Sequence, residues 1–254
     1  MRLSVLGCSG GIGGSSHTTT LLVDQDILID AGTGLNELSL SELCEIDHVF
    51  LTHSHLDHIC CLPFLVDSVG WMRDRPLTVY ASGATIETLR NHIFNWSIWP
   101  DFSEIPNVKQ PIMRFREIGL GEVVELQGRR IRALPATHTV PAVGYHLDSG
   151  QGSLVFSGDT HVNDDLWELV NQIENLRYLI IETAFSEKER ALADLSLHLC
   201  PSLLAGELAK FRGDAEVYIT HLKPGEVDLT MQEIERHVQQ SPPKMLLNNQ
   251  VLEF

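Results

Sequence analysis

Four short apolar runs in this chain each end on a histidine or an aspartate. Val49-Phe50-Leu51-Thr52 leads into His53-Ser54-His55-Leu56-Asp57-His58, Leu134-Pro135-Ala136-Thr137 into His138, Val155-Phe156-Ser157-Gly158 into Asp159, and Val217-Tyr218-Ile219-Thr220 into His221. Runs this short and this rich in strand formers read as buried strands. The chain is therefore held to folds that gather the carboxyl ends of several strands at one place. Further strands are expected over Leu3 to Leu6, Thr18 to Val23, Asp26 to Ile29, Leu77 to Tyr80, Ile131 to Leu134 and Tyr178 to Ile181. Three- and four-residue apolar spacing predicts helices over Ser39 to Cys44, Thr85 to Asn95, Asp165 to Ile173, Leu192 to Phe211 and Thr230 to Gln239, with Ser, Thr or Asp near several of the starts. Strands and helices alternating in this way predict an α/β sandwich.

Composition narrows the class. With 254 residues and 43% hydrophobic content, a sizeable core can be buried without covalent staples. No repeat, low-complexity tract or long Pro/Gly/Ser linker divides the sequence, so one domain over residues 1–254 is expected. The net charge of −16 repels a phosphate backbone at long range, and no nucleic-acid partner is expected. The longest uncharged apolar stretch, near Ile59 to Val66, falls far short of the ~18–20 residues of a membrane span, and the N-terminus turns glycine-rich before a signal-peptide core forms. A soluble, cytoplasmic protein with no membrane partner is the expectation. Five scattered cysteines without a C-x-x-C pair suggest neither a disulfide scaffold nor a cysteine zinc knuckle.

The 12 histidines carry the chemistry. In extended chain, residues two apart point the same way, so His53 and His55 can address one ion while Asp57 and His58, on the turn into a helix, address a second. Clustered imidazoles buried without a partner cost stability, whereas imidazole and carboxylate together suit Zn²⁺ and tolerate Fe or Mn. His53, His55 and His138 form one ligand set, Asp57, His58 and His221 the other, and Asp159 can bridge both. Two such ions would share a water as hydroxide and polarise a substrate's oxygens, which predicts hydrolysis. His48, His92, His146, His161 and His237 read as surface residues or as histidines with satisfied hydrogen bonds. The glycine stretch Gly7 to Gly14 lacks the Lys-Ser/Thr of a nucleotide-phosphate loop and leads into a strand.

In its His-x-His-x-Asp-His motif and in the order of the later His, Asp and His, the chain resembles the metallo-β-lactamase superfamily, over essentially its whole length. The resemblance implies a four-layer αββα sandwich with a dinuclear centre of two divalent ions, zinc by ligand preference. Asp30, in Ile29-Asp30-Ala31-Gly32, matches an Asp-x-Gly element that supports the metal site from beneath. His-Ser-His-Leu-Asp-His-Ile looks like the class II cyclic-nucleotide phosphodiesterases, although Cys61, Pro63 and Phe64 depart from their continuation. The segment Phe94 to Phe102 resembles an aromatic stretch of the same enzymes; packing or subunit contact accounts for it as well. Ile181-Glu182-Thr183-Ala184-Phe185 with His198 is similar to the Glu-Ala-Thr element and distant His of tRNase Z enzymes. There Glu182 would orient His198 to protonate a leaving group, and Asp57, Glu182 and His198 form the catalytic set.

Together these features predict a metal-dependent phosphodiesterase that hydrolyses a 3′,5′-cyclic nucleotide of the cyclic AMP kind to the 5′-monophosphate through a metal-bridging hydroxide. Its partner is then a small-molecule phosphodiester. Homodimerisation, frequent in such families, could draw on Trp71, Trp96 or Trp99. Other readings share the scaffold: an RNA 3′-processing nuclease of tRNase Z type, a thioesterase or lactam hydrolase, and a non-hydrolytic di-iron redox or oxygen-binding protein. The last typically carries a carboxylate where this chain keeps His55.

Overall fold

The computed structural model describes residues 1–239 and 241–254. The first half of the chain runs β1 (Arg2–Gly7), β2 (Thr20–Val23), β3 (Ile27–Ile29), α1 (Leu40–Glu45), β4 (His48–Phe50), α2 (Leu56–Ile59), α3 (Leu62–Val69), β5 (Leu77–Ala81), α4 (Gly83–His92) and β6 (Met113–Glu117). The second half runs β7 (Val123–Leu126), β8 (Arg129–Pro135), β9 (Val143–Asp148), β10 (Ser153–Phe156), α5 (Asp164–Val170), β11 (Leu176–Glu182), α6 (Arg190–Ser196), α7 (Pro201–Leu208), β12 (Glu216–Thr220), α8 (Val227–His237), β13 (Lys244–Met245) and β14 (Val251–Glu253).

These strands form two seven-stranded sheets, ordered β14-β1-β2-β3-β4-β5-β6 and β13-β12-β11-β10-β9-β8-β7. Side-chain alternation along each strand explains the layering. Ile27 and Ile29 of β3, Phe50 of β4, Leu154 and Phe156 of β10 and Ile180 of β11 meet in the core between the sheets. Leu28, Val49 and Leu51, with the opposite parity, pack outward with Leu62, Leu65 and Val66 of α3. Val155, Leu179 and Ile181 face Leu166 and Trp167 of α5 and Leu204 of α7. Strands buried on both faces read as unbroken apolar runs, and the result is a helix-sheet-sheet-helix sandwich.

Specific side chains also join the sheets. Tyr145 of β9 stands edge-on to Phe50, with ring centroids 5.6 Å apart, and its hydroxyl donates to the Leu51 carbonyl at 2.8 Å, just beyond the end of β4. At the opposite edge the Arg129 guanidinium, at the start of β8, donates to both Asp26 carboxylate oxygens at 2.5 and 2.7 Å and to Asp24 at 3.1 Å, both in the turn before β3.

The helix expected over Leu192 to Phe211 is two helices. Leu197 takes a left-handed conformation, φ 52°, and ends α6, while Pro201 opens α7. Proline has no N–H to continue a ladder but fits a first helical turn, so the chain turns between them and His198 stands in the break. Five strands were not expected: β6, β7, β9, β13 and β14. No helix among the described residues is long and apolar enough to cross a membrane.

Candidate metal centre

The strand order places the chemistry. β3, β4 and β5 run parallel in one sheet, and β10, β11 and β12 run parallel in the other. The carboxyl ends of β3, β4, β8, β10, β11 and β12 all lie at one edge of the sandwich, with Glu182 as the last residue of β11 and Asp30, the His53 to His58 run, His138, Asp159 and His221 in the segments that follow the other strands.

There the seven expected ligands assemble as two adjacent groups. Ligand atoms of His53, His55, His138 and Asp159 lie within 4.8 Å of one another, as do those of Asp57, His58 and His221. Asp159 stands between them, its Oδ2 3.7 Å from His53 Nε2, 3.2 Å from His58 Nε2 and 3.9 Å from His138 Nε2, its Oδ1 3.3 Å from His221 Nδ1. Asp57 Oδ2 lies 3.7 Å from His221 Nε2 and 3.9 Å from His58 Nε2. A third group, Asp159, His198 and His221, is equally tight, so the Glu182–His198 pair touches the cluster directly.

Each ligand is aimed by its neighbours. Asp30, fully buried, accepts from the Thr52 N–H and hydroxyl, both at 2.8 Å, and from His58 Nδ1 at 2.7 Å, which turns His58 Nε2 toward Asp159. Thr52 Oγ1 lies 3.0 Å from His53 Nδ1. The Leu197 carbonyl takes His138 Nδ1 at 3.1 Å, leaving Nε2 to face His55 Nδ1, also at 3.1 Å. Asp30 and His221 are non-glycine residues at φ 60° and 64°, a conformation costing about 1–2 kcal/mol. Bonds from their own N–H groups hold them there, Asp30 to the Phe50 carbonyl at 2.9 Å and His221 to the Cys8 carbonyl at 2.8 Å. Gly158 (φ 62°) carries the chain to Asp159 past a point where a Cβ would sit 2.7 Å from the Val143 carbonyl.

The electrostatics suit cation ligation. Burial pushes the imidazoles of His53 and His55 down, that of His138 to about 4 and that of His221 to about 3, leaving them neutral, the form that binds metal. His58 goes the other way: burial lowers it, but the Asp159 and Asp30 carboxylates outweigh burial and raise it well above the ordinary histidine value. Asp159 is held well below the carboxylate range by His221 and His58, which overcome its burial. Burial raises the Asp30 carboxyl although His58 and Thr52 oppose it.

Nε2 of His53, Nε2 of His58 and both ring nitrogens of His221 are buried without an aligned hydrogen-bond partner among the described residues. A buried polar atom left unpaired costs about 1–3 kcal/mol. Four converge here beside two carboxylates, and divalent cations are the partner this donor set fits. A cavity of about 1020 Å³ lies away from the cluster, lined by Leu208 of α7, Phe211 just after it and Arg236 of α8.

A family model for the beta-lactamase superfamily domain matches residues 25–234. The chain belongs to the metallo-β-lactamase superfamily. Within that superfamily it is 29% identical over 210 residues, 70% of its own length and 57% of the other's, to the Yersinia pestis protein named "Probable 3',5'-cyclic-nucleotide phosphodiesterase". It is 28% identical over 156 residues to ribonuclease Z of Haloarcula marismortui, 58% of this chain and 47% of that one. The chain spans about half the length of these curated relatives. The crystal structure of unliganded yeast PDE1 superposes on it with a TM-score of 0.82 at 18% identity, covering 100% of this chain and 99% of that one, a likeness of fold.

Glu182 is fully buried and its Oε1 lies 2.7 Å from His198 Nδ1. Burial would lower the His198 imidazole, but the Glu182 carboxylate outweighs it and raises it; burial raises Glu182 in turn. Sequence reasoning did not single out Thr52 or the Leu197 carbonyl, which orient His53 and His138. A strand-ending threonine and a helix-ending leucine carry no sequence signal for such work. Of the histidines set aside, His161 pairs with Asp194 at 3.2 Å and His92 and His237 end α4 and α8; His48, packed on Tyr80, and the half-buried His146 of β9 are not satisfied as expected, each keeping one buried ring nitrogen without a hydrogen-bond partner among the described residues. His17 lies 3.1 Å from Glu37. In the aromatic segment Phe94 and Phe102 are core residues, Trp99 packs edge-on to Phe64, and Trp96 is exposed.

Proposed function

We propose that this protein is a metal-dependent phosphodiesterase whose substrate is a 3′,5′-cyclic nucleotide of the cyclic AMP kind, hydrolysed to the 5′-monophosphate. The observation that carries the reading is the Glu182–His198 pair set against the ligand cluster. A thiolate can leave from a thioester unprotonated, whereas an alkoxide leaving from phosphorus needs a proton, which a carboxylate-paired imidazole beside the cluster can supply. The similarity to the Yersinia pestis protein over 70% of the chain supports the cyclic nucleotide.

His53, His55, His138 and Asp159 would hold one divalent cation, and Asp57, His58, His221 and Asp159 the second, with zinc suited to the donors. Bound there, the cations supply Lewis acidity toward phosphoryl oxygens and acidify water. His198, its Nδ1 fixed by Glu182, presents Nε2 to donate a proton to the departing ribose oxygen. Glu182 keeps that imidazole in its proton-bearing form and aims it. Asp57, the most exposed carboxylate of the cluster, is placed to take up the proton given by the attacking water.

A second reading, RNA 3′-end processing, is favoured by the ribonuclease Z relatives and uses the same groups. The net charge of −16 weighs against a long polyanion. The test is metal analysis of purified protein with turnover of cyclic AMP, cyclic GMP, a bis-aryl phosphate, a 3′-extended tRNA, a thioester and a lactam. Formation of 5′-AMP is expected. Cleavage of the tRNA without that of cyclic nucleotides would replace the proposal with the second reading.

A further inference from the structure

Lys223 follows the ligand His221 by two residues and is half-buried beside it. Its backbone N–H donates to the Ala184 carbonyl at 3.1 Å, tying it to the segment after Glu182. Its Nζ donates to the Gly10 carbonyl at 2.6 Å, and the Gly10 N–H returns to the Leu222 carbonyl at 3.0 Å. A Cβ at Gly10 would lie 2.4 Å from the His221 carbonyl oxygen, 3.0 Å from His221 Cδ2 and 3.1 Å from Lys223 Cδ. Loop, imidazole and lysine stem are thus packed around one point, and a hydrogen is all that fits there.

Lys188, Lys210 and Lys244 each pair with a carboxylate. Among the described residues none lies within 4.0 Å of Lys223 Nζ, and one carbonyl uses one of its three N–H donors. An aimed cation with unused donors, at the edge of a cluster of imidazoles and carboxylates in a chain of net charge −16, is built to receive an anion.

We infer that Lys223 is a substrate-binding residue, its ammonium donating to a non-bridging oxygen of the phosphodiester at the cluster while the Gly10 carbonyl sets its direction. This rests on the phosphodiesterase reading, and it deepens that reading by naming the group that selects an anionic ester over a neutral one.

The test compares the metal-loaded wild-type chain with Lys223→Met and Lys223→Arg. KM and kcat are measured on cyclic AMP and a bis-aryl phosphate, the binding of inorganic phosphate by calorimetry, and metal content and Tm alongside. Losing a charge-assisted hydrogen bond predicts that Lys223→Met raises KM and weakens phosphate binding by about 10- to 100-fold, with kcat changed less, metal content unchanged and most of the loss restored in Lys223→Arg. Wild-type phosphate affinity in Lys223→Met, or no phosphate binding by wild type, would overturn the assignment. So would equal loss of metal and Tm in both variants, the mark of a loop clamp. If wild type turns over no phosphodiester yet binds phosphate through Lys223, the substrate reading fails and the anion site stands.

Discussion

Asp30→Asn keeps the shape of the residue beneath the cluster and removes its charge. The wild-type carboxylate is fully buried and takes three donors, at 2.8, 2.8 and 2.7 Å. An amide offers one acceptor oxygen with two lone pairs, and its NH₂ must then point at the third donor. At least one of Thr52 N, Thr52 Oγ1 and His58 Nδ1 is left opposed by another donor, at about 1–3 kcal/mol for a stranded buried group. At 2–4 °C per kcal/mol for a chain of this size, the metal-free variant should melt roughly 2–12 °C lower. Released from Asp30, the His58 ring no longer holds Nε2 toward Asp159, and loss of such an orienting partner weakens metal binding about 10- to 100-fold. Zinc titration against a chromogenic chelator, with thermal unfolding by circular dichroism, measures both. A zinc affinity within twofold of wild type would refute the argument that Asp30 aims His58.

Other substitutions separate roles further. His198→Ala should retain both metals and lose about 10²- to 10⁴-fold in kcat, whereas Asp159→Ala should lose metal and activity together; elemental analysis beside turnover distinguishes them, and full turnover by His198→Ala removes its role as acid. Asp47 is held below the ordinary aspartate value because its bonds from Arg75 and Arg73, 2.6 and 2.5 Å, overcome its burial. Its contribution to stability is present above the unfolded value of about 3.9 and is lost as pH falls through the lower folded one. The stability gap between wild type and Asp47→Asn in urea should therefore be wide at pH 7 and close toward pH 2; a gap independent of pH would contradict it.

The parts of the fold legible in the sequence are those buried on both faces. Leu28, Val49, Phe50, Val155 and Ile180 have neighbours above and below, so their strands read as apolar runs. Met113 to Glu117 forms an edge strand, β6, with exposed arginines and a glutamate, and β9 is interrupted by Gly144 and His146; neither gives a clear period. β14 closes on β1 across the length of the chain, Leu252 opposite Leu3, a pairing no local pattern announces. The break before His198 did carry a signal in Pro201, masked by the apolar spacing on either side. All seven proposed ligands were legible because ligand-type side chains end apolar runs. The groups that aim them, Thr52 and the Leu197 carbonyl, were not, because hydroxyls and main-chain oxygens are too common to stand out.

The two ends of the sandwich are joined in unequal ways. Near the start of β3 and β8 the halves of the sandwich are clasped permanently by Arg129, Asp26 and Asp24. At the other end the facing groups are His53 to His58 from one half and His138, Asp159 and His221 from the other, so whatever sits among them is shared across the seam. A tightly held cation at a thousandfold excess over its Kd adds about 4 kcal/mol to the resistance to unfolding, and all of it falls at that rim. Starved of metal, the molecule should lose cohesion first among the side chains of that rim, where the Tyr145 hydroxyl on the Leu51 carbonyl and the Val143 N–H on the Thr52 carbonyl still bridge the halves, while the Arg129 end stays shut.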